Sequence, residues 1–408
     1  MFEYFPHNYP WNLAVLIALN SGGVIDEVHR ACSPLLPGSG NGSPDTDRLF
    51  DCWASVANRL IELAEEDEAS GRDYSASQKY ARAACYLAGA ERLQPPEWSR
   101  RGEAYARVLD IFTRGATLSS DPFEKVEVPW GDTSMPAYLI SVGSPSEPAA
   151  CMIQWNGLDS TKEMMHQSGL YRELARRGVS TLIVDTPGSG EALRCRGLTA
   201  RPDTEVWASA CVDYLEERHD IASDRIGIVG WSLGGYYAPR AAAFEKRLKL
   251  CVAWGANHNW GALQRRRLRN EGEKPVTHYW EHVQWVWGAD DEEDFLARVE
   301  AVSLVGVVSE ITVPFLITHG QNDRQIPRGD ADQSYAEAIG SPKRELKIFS
   351  EREGGVEHVS IDNLPLATSY IADWVSETLN PRFVKRELRA DAREPAAHQI
   401  LEPGRSAS

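Results

Sequence analysis

The sequence has no apolar run long enough to cross a bilayer, no surplus of positive charge and no cysteines at metal-binding spacing. The longest apolar run, Leu13 to Leu19, falls well short of the roughly 20 residues a membrane helix needs. Glu3 and His7 precede it where a secretory signal carries basic residues, so it is expected to form a buried helix and no membrane partner is expected. Lysine and arginine number 43 against 59 aspartates and glutamates, a formal net charge of −16. A surface of that sign does not suit nucleic acid or an anionic membrane. The seven cysteines, at positions 32, 52, 85, 151, 195, 211 and 251, are scattered and odd in number, which fits free thiols in a cytoplasmic protein. Neither a metal nor a cofactor is expected.

What is present divides the chain in two. Residues 1–118 carry apolar side chains at three- and four-residue spacings, over Asp47 to Ala64, Ser75 to Leu93 and Trp98 to Arg114, the pattern of amphipathic helices. Breaks are expected at Pro34 to Pro44 and at Gln94-Pro95-Pro96. From about residue 119 to 379, strands and helices alternate. The expected strands are Glu124 to Pro129, Ala137 to Ser141, Cys151 to Trp155, Ser180 to Asp185, Arg225 to Val229, Leu248 to Trp254, Val313 to Thr318 and Glu345 to Phe349. Several are apolar throughout, as strands buried on both faces are. Alternation of this kind gives an α/β fold, a mostly parallel sheet with helices on both sides and a site at the carboxyl ends of its strands. Residues 380–408, rich in Arg, Glu, Ala and Pro, are expected to be a loose tail.

The stretch Gly230-Trp231-Ser232-Leu233-Gly234 joins a strand to a helix and is expected to form a nucleophile elbow, with Ser232 raised above the sheet. The Leu233 amide would then lie at a helix N-terminus, where unpaired donors favour a developing oxyanion. A second donor is expected from the loop Asn156-Gly157-Leu158-Asp159, with the Leu158 amide as the candidate. Pro239 falls inside the helix after the elbow, where a kink is expected.

Serine needs a base, and the base an orienting acid. His358 follows the last expected strand in a glycine-loosened loop, Gly354-Gly355-Val356-Glu357-His358, whereas His258 and His319 follow earlier strands. The chain order Ser, acid, His in this architecture favours His358 as base and Asp323 as acid. Glu357 and Asp362 are the nearer carboxylates along the chain, but a sequence neighbour seldom points at its neighbour's ring. The turn Asp185-Thr186-Pro187-Gly188-Ser189-Gly190-Glu191 has a phosphate cradle's glycines without its Lys-Ser/Thr, so nucleotide binding is not expected.

Gly157-Leu158-Asp159-Ser160-Thr161-Lys162-Glu163, the turn 185–191, Gly230 to Tyr236 and His319-Gly320-Gln321-Asn322-Asp323 together resemble the α/β-hydrolases that include 2,6-dihydroxypseudooxynicotine hydrolase and fungal enzymes that shorten a polyketide naphthopyrone. The resemblance runs from about Phe123 to Glu377. It implies an α/β-hydrolase fold with an eight-stranded sheet, a Ser232–Asp323–His358 triad, a helical cap, a homodimer and hydrolysis of a carbon–carbon bond beside a ketone. A cap-side carboxylate after the strand that follows the elbow is also implied. Here that region reads Trp254-Gly255-Ala256-Asn257-His258-Asn259-Trp260, with no acid.

The cap insertion is expected at about 258–305. Its Trp260, Tyr279, Trp280, Trp285 and Trp287 suit a flat conjugated small molecule, oriented by Asn257 and His258. The alternative is that these rings pack on the protein body and that Arg265, Arg266, Arg267 and Arg269 are solvated beside Asp290 to Asp294. Three reactions fit such a site: cleavage of a β-diketone, ester or lactone hydrolysis, and cyclisation or acyl transfer on a polyketide.

Overall fold

The structure is a computed structural model that describes residues 2–38 and 45–380. Part of the expected break at Pro34 to Pro44, and the expected tail from residue 381 on, lie outside the described residues. Before the sheet come helices Tyr9–Asn20, Ile25–Cys32, Thr46–Ala69, Asp73–Glu91 and Arg101–Thr117, the last three packed on one another in sequence order. Tyr9–Asn20 contains the apolar run, and Trp11 and the residues from Leu13 to Leu16 are buried.

All eight expected strands form: β1 (Glu124–Trp130), β2 (Thr133–Ile140), β3 (Ala149–Trp155), β4 (Val179–Val184), β5 (Ile221–Trp231), β6 (Cys251–Trp254), β7 (Phe315–Gly320) and β8 (Arg344–Phe349). They make one sheet in the order β1-β2-β4-β3-β5-β6-β7-β8. Only β2 runs against its neighbours; every pair from β4 to β8 is parallel. All side chains of β3 and β4 are buried, as expected for strands covered on both faces. The parallel strands bring Trp155, Val184, Trp231, Trp254 and Gly320 to the same sheet edge, so the loops that follow them converge.

Three helices, Trp260–Leu268, Tyr279–Trp287 and Glu292–Val299, fill the interval between β6 and β7. Their aromatics mostly pack the insertion: Trp260 stacks on Trp287 with centroids 5.6 Å apart and meets Phe295 edge-on at 5.9 Å. Arg267 departs from the solvated alternative. It is buried, bonded to the Tyr279 hydroxyl and, at 3.1 Å, to the Gln325 carbonyl. Arg265, Arg266 and Arg269 are exposed and pair with Glu300 and Glu271, not with 290–294. The helix Gly234–Phe244 continues through Pro239.

Candidate active site

β5 turns into helix Gly234–Phe244 at Ser232, which has φ +58°. A non-glycine residue in that region is strained, and the turn is held closed by the Ser232 amide donating to the Trp254 carbonyl at 2.8 Å. The flanking residues must be small. A Cβ on Gly230 would lie 2.2 Å from the Gly234 carbonyl oxygen, and one on Gly234 would lie 2.6 Å from that of Asn156. Space is as tight across the cleft, where a Cβ on Gly157 would meet the Ser232 Cβ at 2.9 Å. The loop after β3 therefore rests directly on the elbow.

The loop after β7 supplies Asp323 and the loop after β8 supplies His358. The Asn322 amide donates to the Val356 carbonyl at 2.9 Å, joining the two. Ser232 Oγ lies 2.7 Å from His358 Nε2, and His358 Nδ1 lies 2.8 Å from Asp323 Oδ2. With Asp323 ionised, Nδ1 carries the proton and Nε2 accepts from the serine hydroxyl. Asp323 Oδ1 accepts from the amides of Gln325 and Ile326 at 2.8 and 3.0 Å. Burial would raise its carboxyl, but the His358 ring, aided by His319 and the Ile326 amide, outweighs that and holds it below its ordinary value. Asp362, the nearer carboxylate along the chain, instead accepts from the amides of Gly355, Val356 and Glu357 at 2.9–3.1 Å. It braces the loop that presents His358.

Leu158 and Leu233 flank Ser232, and neither amide donates to a protein acceptor among the described residues. Ser160 Oγ accepts from the Gly157 amide at 2.9 Å and from Trp231 Nε1 at 3.0 Å, tying the loop after β3 to the elbow. Farther along that loop Lys162 is fully buried among Glu163 at 2.8 Å, Asp185 at 3.1 Å and Glu191 at 2.7 Å. Asp185 accepts the amides of Lys162 and Glu191 at 2.6 and 2.8 Å. The glycine-rich turn thus encloses a carboxylate of its own chain, and a Cβ on Gly190 would sit 2.1 Å from it.

Ser232 and His358 open into a narrow cavity of about 40 Å³. Leu13 and Ile17 of the first helix form part of its wall and Pro275 of the cap another part, while Arg92 and Asp159 supply charge. Burial would raise the Asp159 carboxyl, but the Arg92 guanidinium, with His282 and His358 near, keeps it low. A wider hollow of about 450 Å³ lies along helices Thr46–Ala69 and Arg101–Thr117. It shares no residue with the Ser232 cavity and takes no part in this chemistry.

Asn257, His258 and Trp260, expected at the substrate, are not on the cavity wall. His258 is buried, its Nδ1 2.9 Å from Ser334 Oγ and its Nε2 3.3 Å from Glu337, and its amide donates to Asp330 at 3.0 Å. The loop after β6 turns beneath helix Arg328–Glu337 rather than over Ser232. Arg92, Asp159, Leu13 and Ile17 take the expected place instead. For Leu13 and Ile17 the signal is the uninterrupted apolar character of Leu13 to Leu19, which requires burial on more than one face; Arg92 carries no such signal.

The parallel sheet, the elbow and the strand-end loops define an α/β-hydrolase. Residues 172–380 match the Prolyl oligopeptidase family. The chain is 33% identical over 334 residues to 2,6-dihydropseudooxynicotine hydrolase of Paenarthrobacter nicotinovorans, covering 81% of this chain and 84% of that protein. It is 27% identical to 20-hydroxy-prefusarin hydrolase FUS2 of Gibberella moniliformis, over 84% of this chain and 90% of the relative. The crystal structure of 2,6-dihydroxy-pseudo-oxynicotine hydrolase superposes with a TM-score of 0.74 at 28% identity, covering 90% of this chain and 96% of that one. The protein belongs to the α/β-hydrolase family that contains these hydrolases.

Proposed function

We propose that the protein is a serine hydrolase that cleaves a carbon–carbon bond beside a ketone, by a retro-Claisen reaction, in a polyketide-like or aromatic β-diketone. The observation that carries the reading is the hydrogen-bonded series Asp323, His358, Ser232 at the floor of a cavity roofed by the first helix and the cap. His358 takes the Ser232 proton as Oγ attacks the ketone carbon, and the amides of Leu158 and Leu233 hold the oxyanion. The resemblance to the 2,6-dihydropseudooxynicotine hydrolase family supports carbon, rather than oxygen, as the leaving atom. Ring-bearing ligands occupy pockets of about 300 Å³ or more, so a substrate of this class requires the wall at Leu13, Ile17 and Pro275 to yield on entry.

Parallel assays with an aryl β-diketone and an ester of the same acyl group test the reading. Turnover of the diketone with release of the acid and the methyl ketone is expected, and Ser232→Ala is expected to lower kcat for it by about 10³-fold or more. Hydrolysis of the ester alone would identify an esterase, and a product without solvent oxygen would identify a cyclase or transferase. A cytoplasmic homodimer completes the proposal, supported by the family resemblance and by the unpaired cysteines. Sedimentation as a monomer at micromolar concentration would remove the dimer.

A further inference from the structure

Arg92 is a group that a serine relay alone does not require. It follows helix Asp73–Glu91 and is 2% exposed. Its Nη1 donates to the Asp159 carboxylate and, at 3.3 Å, to the Pro275 carbonyl. Nε and Nη2 are buried and have no hydrogen-bond partner among the described residues. Leaving a buried charged group with unmet donors costs more than the roughly 1–3 kcal/mol of a neutral one, and buried polar groups without partners concentrate where a ligand completes them. Arg92 is one of the residues that line the same cavity as Ser232 and His358. Because Asp159 already offsets its charge, what it offers is direction: rigid N–H donors in a planar fork.

We infer that Arg92 receives the second oxygen of the substrate, the carbonyl that becomes an enolate when the carbon–carbon bond breaks. The inference rests on the carbon–carbon reading above and narrows its substrate class to 1,3-dicarbonyls. Ser232 Oγ bonds to the first carbonyl carbon as its proton passes to His358. When the resulting alkoxide restores its C=O, the bond to the α-carbon breaks and its electron pair moves onto the second carbonyl oxygen, where Arg92 meets it. The imidazolium proton passes to the α-carbon and a ketone leaves. Water then adds to the acyl carbon as its proton passes to His358, and when the bond to Ser232 Oγ breaks, His358 returns that proton to Oγ and a carboxylic acid leaves. An ester places its leaving charge on the atom bonded to the acyl carbon, away from the point that a 1,3-dicarbonyl's second oxygen reaches.

The test compares kcat/KM for an aryl β-diketone with that for the matched ester in the wild-type enzyme, Arg92→Gln and Arg92→Lys, with Ser232→Ala as control. Arg92→Gln is expected to lower the diketone-to-ester ratio about 100-fold, the scale of losing one oxyanion donor, and Arg92→Lys to restore part of it. Across ring-substituted diketones, rates of Arg92→Gln should depend more steeply on enol acidity than those of the wild type. A ratio within about threefold of wild type overturns the inference, since loss of structure alone lowers both activities together. If Arg92→Gln does not fold, Arg92→Lys and the steepness of its acidity dependence separate the same two outcomes. Wild-type enzyme inert to the diketone would remove the carbon–carbon reading and this inference with it. Diketone turnover with an unmoved ratio removes only the inference.

Discussion

Lys162 and Arg92 are both cations buried beside the loop that follows β3, yet their surroundings differ in kind. The Lys162 ammonium has three donors and three carboxylates to take them, Glu163, Asp185 and Glu191. Tyr138 and Tyr105 donate to Glu163 at 2.7 and 3.1 Å, and Asn156 donates to Asp185 at 2.6 Å. Burial alone would lower the Lys162 pKa, but Glu163 and Asp185 hold it well above the ordinary lysine value. Arg92 has one carboxylate, one carbonyl and three N–H donors, on Nε and Nη2, left over. A saturated buried network fixes geometry, whereas an unsaturated one has capacity for a ligand. Lys162 accordingly anchors the far end of the loop whose near end rests on Ser232, and Arg92 faces the cavity.

Breaking the saturated side should have the largest effect on stability. Lys162→Met leaves three carboxylates around one site without their cation, and removal of one partner of a buried pair costs about 3–5 kcal/mol. Urea unfolding of Lys162→Met should show that loss, larger than the loss for Arg92→Gln, which strands only the partly solvated Asp159. Equal losses would erase the distinction between the two cations. A smaller effect is expected at Ser160. Ser160→Ala deprives the Gly157 amide and Trp231 Nε1 of their common acceptor, at a cost of about 1–3 kcal/mol. Because that contact sets the loop against the elbow, kcat should fall about tenfold with KM little changed; a change confined to KM would assign Ser160 to binding.

The difference between the two cations also marks what the sequence discloses. The strands were legible because each is a short apolar run between turn residues, and the elbow because its glycines answer steric needs within five residues. The meeting of Ser232, Asp323 and His358 was legible from their positions just past strand ends, which a parallel sheet gathers at one edge. Arg92 was not. It precedes the loop it pairs with by 67 residues, and nothing in the pattern of an amphipathic helix says which arginine beyond its end turns inward. Asn257, His258 and Trp260 lie off the wall of the Ser232 cavity for a related reason: the direction of the loop after β6 is set by Asp330, Ser334 and Glu337, far along the chain. In the cap, aromatic content was visible, but the packing of Trp260 on Trp287 rather than on a ligand depends on how three helices close on one another.

Two buried histidines allow the flanks to be compared by pH, with the smallest expected effect. His166 follows Lys162 by one turn and stacks on Tyr171 with centroids 4.1 Å apart; burial, with the Arg172 charge, lowers it to about 3. His282 of the cap lies within electrostatic reach of Asp159, which pulls its pKa upward, but burial, aided by Arg194 and Arg101, lowers it to about 4. An unfolded histidine titrates near 6.5, so between these values the unfolded chain binds more protons than the folded one. Stability from each ring is therefore full above about pH 6.5 and is lost as pH falls toward 3 or 4, with a slope of at most about 1.4 kcal/mol per pH unit per histidine. Glu163, whose folded value of about 2 lies below the unfolded one, adds its own loss only below about pH 5. Unfolding free energies between pH 5 and 6.5 thus report the histidines. His166→Gln and His282→Gln should each remove part of the slope, and a double variant that kept all of it would show that neither ring is held neutral by burial.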